Sequence, residues 1–168
     1  MTGIRNYPPM ILTSDWNSLV TFLGGATGNA GFSLGSTDVT PADPTGTTST
    51  TGVMMGLAVY FTPVRSGIIM VQVEGQMQNN TTGDGAVAKL YYGTSTAPAN
   101  GTAATGTQKG KQAQMDAFPT AAKKWPFGIT TIITGLPLNT AVWLDLLLAA
   151  ITGGTANLNN LEIVVSEI

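Results

Sequence analysis

Two of the side chains that most often do chemistry in proteins are missing from this sequence. Its 168 residues include no histidine and no cysteine. That removes the usual general base at neutral pH, the thiolate nucleophile, and the His/Cys ligand sets of zinc. Carboxylates are the remaining route to catalysis. Asp145 and Glu162 both stand in late, strand-like stretches and could meet across a sheet. Two carboxylates at a fixed separation in a cleft are the apparatus of glycoside hydrolysis. A single charge in an alternating strand more often lies on a solvent or subunit face. Asp145, in "VWLDLLLAA", shares a strand face with Trp143 and Leu147 and has apolar neighbours. A carboxylate buried there needs a hydrogen-bonding or charged partner. A lysine or arginine of another copy would serve, so Trp143 and Asp145 are candidate subunit-interface residues.

The glycine-rich stretches point to turns. "GGATGNAG" (24–31) has the look of a phosphate loop but lacks the G-K-[ST] ending. "NNTTGDG" (79–85) lacks the ligand spacing of a calcium loop and reads as a hairpin turn with Gly83 or Gly85 at positive φ. S-x-x-K does not occur, and with no histidine the serine of the one G-x-S-x-G match ("GFSLG", 31–35) lacks its usual base. The expectation is a protein with no catalytic residues, cofactor or metal, and therefore no enzyme.

The elements that must position these residues are strands. Met55, Leu57, Val59 and Phe61 alternate. So do Ile69, Val71 and Val73 against Gln72 and Glu74. Short strands are expected at 87–92, 112–118 and 127–134, then a run of Val142, Leu144, Leu146 and Leu148, and a last one through Leu161, Ile163 and Val165. Period two with one buried face, broken by Gly/Pro/Asn turns and with no 3.6-residue period, predicts an all-β fold. The form expected is a single antiparallel jelly roll or β-sandwich. The expected core is Leu57, Val59, Phe61, Ile69, Val71, Val73, Val142, Leu144, Leu146, Ile163 and Val165. Residues 53–168 are the predicted body. Residues 1–52 are the predicted N-terminal arm and Gly/Thr-rich loop, with room for one or two strands.

Charge is sparse. Seven basic and nine acidic residues, net −2, stand beside 26 threonines. Phosphate neutralisation needs clustered Lys/Arg, so nucleic acid is not the expected partner. The longest apolar run is short and interrupted by Asp145, which argues against a membrane span. The N-terminus lacks the basic-then-apolar pattern of a secretory leader, and a soluble protein is expected. Charge depletion suits surfaces buried between subunits.

Three motifs carry a family resemblance. They are "TP-x-R-SG" at 62–67, "GTxxAPANGxxxTGT" at 93–107, and "GL…W-x-D-L-x-x-A…TGGTA" across 135–156. With the residues around them they span about 53–168, and the chain there resembles small jelly-roll virion proteins of tailed phages, similar in outline to the tumour-necrosis-factor-like fold. The resemblance implies a capsid decoration (cement) protein, made in the host cytoplasm, placed on the virion capsid surface, and assembled as a homotrimer on the major capsid protein. The alternative it implies is the receptor- or glycan-binding head of a virion fibre. Under the first reading the leading segment would be the adaptor to the capsid. Its apolar clusters make Met10, Ile11, Leu12, Trp16 and Leu19 the candidate partner contacts, because such a segment gains more by ordering on a partner than by packing on itself.

Overall fold

The alternating stretches become the strands of two packed sheets. The computed structural model describes residues 35–168, and their regular structure is all strand. The strands are β1 (Ser36–Val39), β2 (Val53–Met54), β3 (Val59–Phe61), β4 (Ile69–Asn79), β5 (Gly85–Gly93), β6 (Thr107–Met115), β7 (Trp125–Ile133), β8 (Val142–Ile151) and β9 (Ala156–Glu167). One sheet runs β1-β9-β4-β7. The other runs β2-β8-β5-β6, with β3 also on β8. Every pairing is antiparallel. The pairs nest: β1 with β9, β2 and β3 with β8, β4 with β7, β5 with β6. Contacts β4–β9 and β5–β8 complete the two layers. This order is a jelly roll.

The core lies between the sheets. Ile69, Val71, Val73 and Met77 of β4 face Val142, Leu144, Leu146 and Leu148 of β8, with Leu158, Leu161, Ile163 and Val165 of β9. All the core residues expected from alternation are buried except Leu57, which is half-buried at the margin. The reason is local. The 55–61 stretch is not one strand, because Gly56 (φ 68) and Ala58 (φ 47) turn the chain out of the ladder.

Residues 36–52 also depart from expectation. They join the body and do not form an arm, since the described residues make one compact unit. β1 pairs with β9 over Ser36–Ser166 to Val39–Ile163. The Thr-rich segment after it crosses from one sheet to the other on backbone bonds. Thr47 and Ala156 exchange two at 2.9 Å, and the Ala150 N–H donates to the Ser49 carbonyl at 2.8 Å. Order that comes from main-chain bonds leaves little trace in side-chain pattern. The strand expected at 112–118 begins earlier, at Thr107, and ends at Met115.

Candidate functional site

β8 is buried on both faces, and its outer face carries the two residues expected at a subunit interface. Asp145 is completely buried. Between β2 and β3 four residues (55–58) stand opposite two of β8, because the register passes from Met54–Leu147 to Val59–Leu144. The amides released by this bulge are taken by one carboxylate. Asp145 Oδ2 accepts from the Gly56 N–H at 2.9 Å, and Oδ1 accepts from the N–H groups of Leu57 (3.0 Å) and Leu146 (2.7 Å). Burial pushes the Asp145 carboxyl above the ordinary aspartate value, while the backbone N–H groups of Leu57, Gly56, Leu146 and Met55 pull it back down in part. The partner of Asp145 is therefore the chain's own backbone. The cation expected from a second copy is not needed.

Trp143 is likewise fully buried, packed with Met54 and Leu147 beneath Tyr91 and Ala97. The loop between β5 and β6 lies over it. Two glycines of the "GTxxAPANGxxxTGT" motif make the slot. A methyl group at Gly93 would stand 2.6 Å from the indole, and one at Gly106 (φ +80) would stand 2.4 Å from it. The loop is tied down by its asparagine. Asn100 Nδ2 donates to the carbonyls of Met55 (3.0 Å) and Thr45 (3.2 Å), while the Gly101 N–H donates to Met54 O at 2.9 Å. Neither Trp143 nor Asp145 reaches the surface of the single chain. Both belong to its internal structure and are corrected from interface residues to anchors.

A second buried carboxylate had no signal of its own in the sequence. Glu167, near the end of β9, sits in the "TPVRSG" turn. It accepts from the N–H groups of Val64 (3.0 Å), Arg65 (2.8 Å), Ser66 (2.6 Å) and Gly67 (3.3 Å), and from Ser66 Oγ (3.2 Å). Consecutive amides converging on one anion form a nest. The Val64 N–H most of all, then those of Ser66, Arg65 and Gly67, outweigh burial and hold the Glu167 carboxyl down at about 2, from 4.5. The sign of the pH effect follows. Above 4.5 the stabilisation is complete, and it is lost as pH falls toward about 2, where the unfolded chain takes up a proton that the folded chain refuses. Urea denaturation of Glu167→Gln beside the unchanged protein is expected to show a stability gap that is widest at neutral pH and closes as pH approaches 2. A gap independent of pH would contradict the ionised nest.

The third anchor is Asn79, buried where the β4–β5 and β8–β9 turns meet. Its Nδ2 donates to the carbonyls of Gly85 and Gly153, each at 2.9 Å, and its Oδ1 accepts from the Thr81 N–H at 3.0 Å. Gly83 takes the positive φ (86°) expected of this turn. All three motifs of the resemblance thus end on anchoring side chains: the buried Glu167 for the first, the exposed Asn100 with the buried Trp143 for the second, and the buried Asp145 and Asn79 for the third.

The carboxylate pair weighed for catalysis does not form. Asp145 faces outward from one sheet and Glu162 is exposed on the outer side of the other, with the core between them. Met10, Ile11, Leu12, Trp16 and Leu19 lie outside the described residues. Two clefts open at the sandwich edges. One of about 500 Å³ runs over the β2–β3 bulge and includes Pro41, Pro44, Leu57, Tyr60 and Asn100. The other, about 290 Å³, lies where β6 and β7 approach, between Met77, Met115, Trp125 and Phe127.

Among the described residues, a broad uncovered surface is the outer side of the β1-β9-β4-β7 sheet. Rows of residues cross it in register: Ile132, Met70, Ser166 and Ser36, then Thr130, Gln72, Val164 and Asp38, then Gly128, Glu74 and Glu162. Ile132 is 48% exposed, and Met70 and Val164 are half-buried. On the opposite sheet, the β5–β6 loop and Met54 cover the outer face of β8.

No family model matches the sequence, and neither does any curated protein. Similar chains occur among solved structures. A chain of infectious bursal disease virus, Gx strain, is 15% identical with a TM-score of 0.48, over 80% of this chain and 32% of that one. One from the infectious bursal disease virus VP2 subviral particle is 12% identical with a TM-score of 0.46, over 79% and 32%. Eiger TNF from S. frugiperda is 8% identical with a TM-score of 0.43, over 81% and 93%. The chain spans about a third of the length of the two viral chains. At these scores the jelly-roll class stands on the strand order given above.

Proposed function

We propose that the protein is a non-enzymatic structural component of a phage virion, decorating the capsid as a homotrimer bound to the major capsid protein. The observation that carries this reading is where the resemblance motifs end. Each stretch that resembles virion jelly rolls closes on a polar anchor, buried at Asp145, Glu167 and Asn79 and exposed at Asn100, that fixes a loop to the sandwich. Such residues specify a rigid body, which is what a coat component needs. Among the described residues, one open sheet face, acidic at Asp38, Glu74 and Glu162, is then left for contact with other copies. Mass spectrometry of purified virions tests the reading. Copy numbers in the hundreds are expected. A handful of copies would favour the fibre head, and none would end both readings.

The fibre-head alternative has one observation in its favour. The 290 Å³ cleft between β6 and β7 presents Trp125 and Phe127 beside Gln114. The Trp125 Nε1 is buried without a hydrogen-bond partner among the described residues. An aromatic cleft with a few polar groups is the usual form of a small-ligand site. Binding of a glycan array by the purified protein, abolished by Trp125→Ala, would favour that reading over capsid decoration.

A further inference from the structure

We propose that copies of this chain meet head to tail, with the acidic outer face of the β1-β9-β4-β7 sheet of one copy against the lysine-bearing β6 edge of the next. The proposal rests on the homotrimer reading and specifies its contact. Two groups of charge lie on different surfaces of the described chain. Asp38 on β1, Glu162 on β9 and Glu74 on β4 are exposed on one sheet face, with Glu74 directly opposite Glu162 and Asp38 one diagonal step away. Among the described residues, the strand positions of that face include no lysine or arginine. All five lysines of the described residues fall on the other sheet or the turn leaving it: Lys89 on β5, Lys109 and Lys111 on β6, Lys123 and Lys124 in the β6–β7 turn.

Like charges directly opposite on a sheet are unfavourable. The Glu74–Glu162 pair gains from a cation supplied from outside, and β6 is built to supply one. Its ladder with β5 shifts register between Ala88–Ala113 and Leu90–Lys109, so β6 bulges through Gly110 (φ +77) against Thr131 of β7. The bulge places Lys109 and Lys111 on either side of that glycine and spoils the edge for strand addition. Contact there falls to side chains, and those offered include the exposed Lys111 and the half-buried Lys109 among glutamines. Met70, Val164 and Ile132 beside the carboxylates provide apolar area for the same contact.

That separation also selects the symmetry. A twofold contact through the acidic face would set three carboxylates against the same three. Opposites meet only if face and edge belong to different copies, and such a heterologous contact gives a ring where its rotation closes. A ring of three satisfies every face with one edge.

Charge reversal on the full-length protein tests this, read by sedimentation equilibrium with circular dichroism and cooperative unfolding as the check on folding. Lys109→Glu with Lys111→Glu, and separately Glu74→Lys with Glu162→Lys, are each expected to raise the concentration for half-assembly roughly a hundredfold or more. Neither should unfold the protein, since the second exchanges one like-charged pair for another. The chain carrying all four changes has its charges complementary again and is expected to reassemble. Two results overturn the proposal while leaving the trimer reading intact: either reversal alone leaving assembly unchanged, or the fourfold variant remaining monomeric though folded. An unaltered protein that is monomeric at micromolar concentration overturns both.

Discussion

Asp145→Ala is expected to lower the unfolding free energy by about 3–5 kcal/mol. The side chain removed is the acceptor for the Gly56, Leu57 and Leu146 amides. A buried donor left without an acceptor costs about 1–3 kcal/mol. Three donors lose theirs together, and water that entered to replace the carboxylate would have to displace the close cover of Met54 and the β2–β3 bulge. Asp145→Asn should fall between. Its oxygen can keep two of the amides, but its NH2 group then faces the third, donor to donor. Equilibrium urea unfolding orders the three proteins Asp, Asn, Ala. An alanine variant within about 1 kcal/mol of the parent would show that the bulge finds other partners. The pH dependence has the opposite sense to that of Glu167. Burial raises the folded pKa of Asp145 above 3.8, so the fold binds this proton more tightly than the unfolded chain does. This group therefore adds stability as pH falls from the raised value toward 3.8, and the added stability is absent in Asp145→Asn.

Trp143→Ala is expected to cost about 3–5 kcal/mol, the range for deleting a large buried aromatic from a site that cannot collapse. The slot cannot close because Gly93 and Gly106 stand against the ring and the loop above is pinned by Asn100. Trp143→Phe separates packing from polarity. The Trp143 Nε1 has no hydrogen-bond partner among the described residues, so its loss removes an unpaired donor along with some volume. The phenylalanine variant should lose about 1–2 kcal/mol. Limited proteolysis gives a local readout. Cleavage between residues 94 and 106 should become faster in Trp143→Ala and stay near the parent rate in Trp143→Phe. Equal cleavage in all three would mean the loop is held by its backbone bonds alone.

The parts of the fold legible in the sequence are those where burial sets residue type. Val142 to Leu148, Ile69 to Val73 and Leu161 to Val165 alternate because one face of each strand meets the core. Leu57 alternates too, yet its neighbours Gly56 and Ala58 leave the ladder, and a period of two does not report backbone that has turned. β1 escaped notice because four residues of "STDV" carry one large apolar side chain, and main-chain pairing with β9 fixes the rest. The burial of Asp145 could be anticipated from its apolar neighbours. Its partners could not, since every residue but proline offers an amide and nothing in the sequence marks those that a bulge has released. Glu167 was hidden for the same reason, although the turn that receives it stood out as a motif.

The nested pairing of strands has a kinetic meaning. The sandwich is in effect one long hairpin, doubled over, with its tip at the β5–β6 loop and its open ends at β1 and β9. Closing β1 on β9 directly would span 130 residues from Ser36 to Ser166, whereas closing it after the inner pairs have formed needs only short connections. Loop-closure entropy therefore favours zippering outward from the tip, and topologies of such high contact order fold slowly. Asp38, Glu162 and Glu74 come onto one surface only when the outermost strands have docked. If copies meet as proposed, a newly made or half-folded chain has its lysine edge before it has the acidic face to receive it, and the contact becomes available as the last act of folding.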